Sequence, residues 1–154
     1  NNVFERNLFI ESNIPKEDIP YALNASTIAS SLFLDKKEMQ ANSANKFFDA
    51  LAAKKPIMIN YGGWQKNLIE QSGCGIVLWK LSYMDAAKKI IEFVEDTKRI
   101  GDASNASSLL AQEYFSRDIL AKQLEEVLVS VKSQNYKNIS EIAPGNYDTI
   151  QNRV

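Results

Sequence analysis

The residues best suited to holding an anionic, oxygen-rich molecule fall in one block, Asn42 to Trp64. Asn42-Ser43-Ala44-Asn45 is a polar loop just ahead of the apolar-periodic run Lys46 to Ala53, so its backbone amides open a helix and face outward from the positive end. Asp49 stands in the first turns of that helix, where a carboxylate can accept two hydrogen bonds from a ribose diol while the loop amides face a diphosphate. The same carboxylate could equally serve only the helix dipole. Lys46 could pair with phosphate as a point charge, or stay solvated. Gly62-Gly63 offers amides with no side chain in the way, or merely turns a strand into a helix. Trp64 could pack on a sugar or base, or fill the core beneath the next helix.

What is missing narrows the chemistry. The 154 residues contain no histidine, which excludes a Ser-His-Asp triad, a Cys-His pair and a His-ligated metal. A general acid or base would have to be a carboxylate, Lys or Tyr, or lie outside this chain. The single cysteine, Cys74, sits between two glycines with no partner for a disulfide or a zinc site. No P-loop and no Gly-x-Gly-x-x-Gly spacing occurs; Gly73-Cys74-Gly75 follows a helical stretch and lacks the third glycine. A net charge of -1 leaves no electrostatic footprint for nucleic acid. No apolar run approaches the roughly 20 residues of a membrane span, and no signal-peptide pattern opens the chain, so a soluble, cytoplasmic setting is expected.

The elements that would position these residues alternate. Asn7 to Glu11 reads as a short buried strand, and a helix with Pro15 in its first turn runs to about Asn24. Thr27 to Leu34 reads as a strand, followed by a charged loop over Asp35 to Gln40. The next helix covers about Ala44 to Ala53, with Phe47, Phe48, Leu51 and Ala52 on its buried side. Pro56 ends it and starts the strand Ile57 to Asn60; a helix from Trp64 to about Gln71 and a strand Ile76 to Trp79 come next. From Ser82, a cap residue, the chain is helical: one helix with Tyr83, Ala86, Ala87, Ile90, Ile91 and Val94 at helical spacing, another from about Ala103 to Tyr114. Ser116 caps a last helix striped by Ile119, Leu120, Leu124, Val127, Leu128 and Val131. Residues 134–154 are polar and without period, and read as a C-terminal tail.

Strands alternating with crossover helices predict an α/β fold with a doubly wound parallel sheet, Rossmann-like in kind. About four strands are expected, fewer than such a domain normally has, so residues 1–133 are read as a partial domain lacking its first strands.

In this order the pieces resemble the C-terminal domain of the retaining GT-B glycosyltransferases of family 4, in its WbuB-like branch. The resemblance rests on Ile14-Pro15-Lys16-Glu17-Asp18-Ile19-Pro20, on Asn42 to Pro56, on Gly62-Gly63, on Leu68-Ile69-Glu70 with Gly73 to Leu78, and on Phe115-Ser116-Arg117-Asp118. It covers most of residues 7–131. It implies transfer of a sugar, with retention, from a nucleotide diphosphate sugar to a polysaccharide or lipid-linked acceptor, with no obligatory metal and no cofactor. It further implies that Asp49 holds the ribose as the second acid of a pair, and that the amides of Ser43, Ala44 and Asn45 face the diphosphate with Lys46 beside them. Gly62, Gly63 and Trp64 would then lie near the donor sugar. The family's first acid falls at Ala41, and Asp49 stands where Glu is usual, one methylene shorter. The resemblance places the acceptor site in an N-terminal domain outside this sequence. The chain is therefore expected to be the donor-binding half of a transferase, inactive alone, with no residue assigned a catalytic role. Its full-length form would work at the cytoplasmic membrane face, in polysaccharide or lipopolysaccharide biosynthesis. Two other readings stand beside it: a non-catalytic nucleotide-binding or interaction module of the same fold, favoured by Ala41, and a nucleotide-sugar 2-epimerase, disfavoured by the missing histidine.

Overall fold

The computed structural model describes residues 6–11 and 13–132. Helix α1 (Ile19–Ala25) leads to strand β1 (Ala29–Ser31), and a short 3-10 helix (Lys37–Ala41) precedes α2 (Asn45–Ala52). Then come β2 (Ile57–Ile59), α3 (Trp64–Ser72), β3 (Gly75–Val77), α4 (Tyr83–Glu95), α5 (Thr97–Glu113) and α6 (Arg117–Lys132). The strands form a small, open parallel sheet in the order β1-β2-β3, with Ala29 beside Ile57 and Ile57 beside Gly75.

Alternation along the strands sorts side chains to two faces. Ile57, Ile59 and Val77 join Phe47 and Leu51 of α2, Leu68 and Ile69 of α3, and Leu110 of α5 in the larger core cluster. Ile76 joins Phe93 of α4 and Ala103 of α5 in a second, smaller one, with Met58, Leu78 and Ile90 packed against it. At 17 residues α5 is long enough to reach both. Its Ser107 hydroxyl donates to the Lys55 carbonyl oxygen at 3.0 Å and lies 3.3 Å from the Cys74 carbonyl oxygen, tying it to the chain just before β2 and β3. The β1–β2 ladder is extended by a side chain. Asn60 accepts from the Phe33 N–H and donates to the Phe33 carbonyl, each at 2.9 Å, mimicking one more residue of strand pairing.

Several expectations need correction. The run Asn7 to Glu11 is not a buried strand: Leu8, Phe9 and Ile10 are exposed and only an isolated bridge forms at Leu8. Three consecutive apolar residues have no period that distinguishes a strand from an exposed segment, and among the described residues their pairing stops at that one bridge. The described residues therefore hold three strands where about four were expected. Ala52 is exposed, because the buried side of α2 is set by Phe47, Ala50 and Leu51. Of the α4 stripe, Tyr83, Ile91 and Val94 face solvent; Phe93 is the residue that α4 buries. Helix α5 starts at Thr97, ahead of the expected Ala103. Residues 134–154, read as a tail, lie outside the described residues.

Candidate functional site

In a parallel sheet every strand-to-helix connection lies at the carboxyl edge, where open α/β sheets bind ligands. Three connections meet there: 32–44, 60–63 and 78–82. The Trp64 indole Nε1 donates to the Asn42 carbonyl oxygen at 3.2 Å, joining the start of α3 to the loop before α2. Gly63 has φ 97°, a conformation that side chains rarely adopt, and a Cβ built on it would stand 2.0 Å from the Gln40 carbonyl oxygen. A Cβ on Gly62 would meet the Trp79 ring at 3.0 Å. The chain just ahead of α2, at Gln40 and Asn42, thus meets the segment Gly63-Trp64. The space above Gly63, however, is occupied by the Gln40 backbone.

Trp64 is half-buried among aromatic rings, stacked on Phe48 at 6.2 Å and edge-on to Phe47 at 5.8 Å, with Phe115 at 6.4 Å. Its packing is that of a core residue. Helix α2 starts after Ala44, whose side chain cannot cap; no side-chain hydrogen bond closes the helix end. Ser43, Asn45 and Lys46 are exposed and Ala44 is half-buried.

Asp49 is exposed, and neither ion pair among the described residues, Lys66–Glu70 and Lys98–Asp102, involves it. It lines three adjoining depressions. One, of about 310 Å³, is walled by Lys16, Ile19, Pro20, Leu23, Ala52 and Ala53; another, of about 340 Å³, includes Lys46 and Ser30. The third, about 490 Å³, runs between α2 and the α5–α6 corner and includes Phe48, Ser116 and Arg117. Cationic side chains from three separate segments, Lys16, Lys46 and Arg117, therefore surround one free carboxylate. These depressions contain neither Gly62, Gly63 nor Trp64. Arg117 was not singled out as a site residue, since only tertiary packing brings α6 beside α2.

Sequence reasoning also missed a buried polar group beside the turn. The Tyr61 hydroxyl donates to Gln65 Oε1 and lies 3.4 Å from the Ser31 hydroxyl, and all three residues are buried. Burial pushes the Tyr61 phenol above its ordinary pKa, with the Ser31 hydrogen bond a smaller opposing cause. Two buried donors, Gln65 Nε2 and Trp79 Nε1, have no acceptor. One belongs to the residue bonded to Tyr61, the other to the ring against Gly62, so the orphan donors flank the Gly62-Gly63 turn. A buried N–H without an acceptor is uncommon enough to require a cause. Among the described residues no group of three or more His, Cys, Asp or Glu could hold a metal ion, and no helix is long and apolar enough to cross a membrane. Comparisons with protein-family models, with curated proteins and with solved structures find no match for this chain.

Proposed function

We propose that this chain is the donor-binding half of a retaining glycosyltransferase, a partial GT-B C-terminal domain with a Rossmann-like sheet. It binds a nucleotide diphosphate sugar and relies on a second domain for the acceptor. The observation that supports this best is the meeting of the loop before α2 with the Gly62-Gly63 turn at the carboxyl edge of a parallel sheet. Uncapped amides at the start of α2 suit a diphosphate, and the exposed Asp49 carboxylate, two turns from the helix start at most, suits a ribose diol. The unpartnered donors of Gln65 and Trp79 fit a ligand rich in acceptor oxygens. Lys16, Lys46 and Arg117 around Asp49 add positive potential for an anionic donor.

A second reading has its own support. Ala41 stands where the first acid would be, Trp64 is engaged by Phe47, Phe48 and Phe115, and the Gln40 carbonyl fills the space over Gly63. A module that keeps the nucleotide contact and has lost sugar chemistry would look the same. Calorimetric titration with UDP and GDP tests the shared premise: one of them binds, and Asp49→Ala weakens it at least about tenfold, as loss of a charge-assisted pair requires. No binding by either nucleotide, or equal binding by the variant, overturns both readings. Donor-sugar hydrolysis or transfer, measured once a second domain is supplied, separates them.

A further inference from the structure

Around the Gly62-Gly63 turn, hydrogen-bond donors outnumber acceptors. Gln65 lies in the first turn of α3, and its carboxamide reaches back past the helix start, where Oε1 accepts from the Tyr61 hydroxyl. The other atom of that amide, Nε2, has no acceptor, although Gln65 is only 1% exposed. The Trp79 ring turns Cε2, the carbon bonded to Nε1, toward Gly62, and its buried N–H is also unpartnered. Helix α3 starts after Gly63 with no side chain capping its amides. What is left over is donor-only, because Gln65 Oε1 is taken, an indole has no acceptor and a helix start offers only N–H groups. A cation does not match that set; an oxyanion, which only accepts, does. Lys80 Nζ, 4.4 Å from the centre of the Trp79 ring, adds positive charge beside it.

We infer that the start of α3 is a phosphate subsite under a movable cover, the 3-10 segment Lys37–Ala41, whose Gln40 carbonyl lies over Gly63. The segment is lightly fastened. It buries no residue, and its backbone bonds, Met39 to Lys36 and Asn42 to Met39, stay within it. Among the described residues one hydrogen bond, from Trp64 Nε1 to the Asn42 carbonyl oxygen, ties it to α3. The covered arrangement leaves two donors buried and unpaired, at a cost that an incoming anion removes. Glu38, the exposed acid of the segment, withdraws with it. Lys66, in the first turn of α3, is engaged by Glu70, so N–H groups and the helix dipole do most of the holding. The inference rests on the proposed donor site and adds a second helix start to it. The Trp64–Asn42 bond sets the start of α3 beside the loop before α2, within reach of one diphosphate.

The chain has two tryptophans, so its proton–nitrogen correlation spectrum carries two indole signals, assigned with Trp79→Phe. Inorganic phosphate is expected to move the Trp79 signal downfield saturably, as that N–H gains an acceptor. The Trp64 signal moves with it, as Asn42 withdraws with the cover, and chloride at matched ionic strength moves neither. Gln65→Met keeps the bulk and removes the donor, and weakens phosphate about tenfold, the loss of one hydrogen bond to a charged partner. Trp64→Phe cuts the tether and binds phosphate about fivefold tighter, because less of the covered form has to be displaced. A merely structural Trp64 would leave that affinity unchanged or lower. If UDP reproduces the Trp79 shift, the nucleotide's phosphate is the occupant; if only inorganic phosphate does, the free ion is. No saturable Trp79 shift with either, or equal phosphate affinity in Gln65→Met, overturns the inference, and a Trp79 shift with a fixed Trp64 signal overturns the cover. Should Gln65→Met lose its far-UV dichroism, the wild-type spectrum and Trp64→Phe decide. Phosphate carries no ribose or base, so its failure to bind is distinct from failure of the donor reading, which the nucleotide calorimetry of Asp49→Ala decides.

Discussion

At the scale of single residues, two glycines with positive φ answer to different constraints. Gly63 (φ 97°) is crowded by the Gln40 carbonyl as well as twisted, whereas Gly73 (φ 71°) has nothing within 4 Å of where a Cβ would stand. Gly73→Ala is expected to cost about 1 kcal/mol, the penalty of a left-handed conformation for an L residue. Gly63→Ala adds a backbone clash and is expected to cost about 3 kcal/mol or more in urea unfolding. Equal small losses would mean that the Lys37–Ala41 helix moves freely off the turn. Cys74 supplies a pH signature. Burial, opposed weakly by the Ser72 hydrogen bond, pushes its thiol from an ordinary value near 9 up to about 11. The folded chain thus holds the proton more tightly than the unfolded one. Stability is complete below about pH 9 and is lost as pH rises toward 11. Cys74→Ala is expected to flatten the wild-type decline in urea midpoint over that window. An unchanged slope would assign the decline to other groups, Tyr61 first, whose phenol burial also raises. The sequence pointed to both glycines and to Cys74, because their types carry local meaning. It did not point to Gln65, or to Arg117 as a site residue, since what gives them significance is what tertiary packing brings beside them.

The elements divide by how their ends are closed. Ser82 accepts from the Asp85 N–H at 3.1 Å and Asp96 from the Arg99 N–H at 2.9 Å, so α4 and α5 are capped by side chains. Helix α2 begins after Ala44 without one. Ala44→Asp is therefore expected to raise stability by roughly 0.5–1 kcal/mol, through the missing cap and the favourable charge at the positive helix end. If the α2 amides hold phosphate, the same carboxylate competes for them, and UDP or GDP affinity falls while the urea midpoint rises. A gain in stability with unchanged affinity would place the phosphates elsewhere. Elements legible in the sequence are those punctuated at both ends: β2 after Pro56, α3 between Gly63 and Gly73, α4 after Ser82. Those misread lacked an apolar period where they were misread. The first turns of α5, Thr97 to Asp102, are mostly polar and exposed, so the apolar periodicity starts only at Ala103. Asn7 to Glu11 offered three apolar residues and no period at all.

Across the whole molecule, stability is concentrated. Phe47, Leu51, Ile57, Ile59, Leu68 and Leu110 are fully or almost fully buried, and α2 packs more extensively on α5 than any other two elements do on each other. Helix α1 buries no residue; Lys55 Nζ secures the chain at its end by donating to the Asn24 and Ser26 carbonyl oxygens at 2.9 Å. Helix α6 buries only Ser130. Local opening free energy follows buried apolar contact, so amide exchange should separate the chain into two classes. Amides of α2, β2, α3 and α5 are expected to exchange only with global unfolding, and those of α1 and α6 at least about a hundredfold faster, through openings that leave the sheet intact. Uniform protection throughout would show one cooperative unit and refute that division.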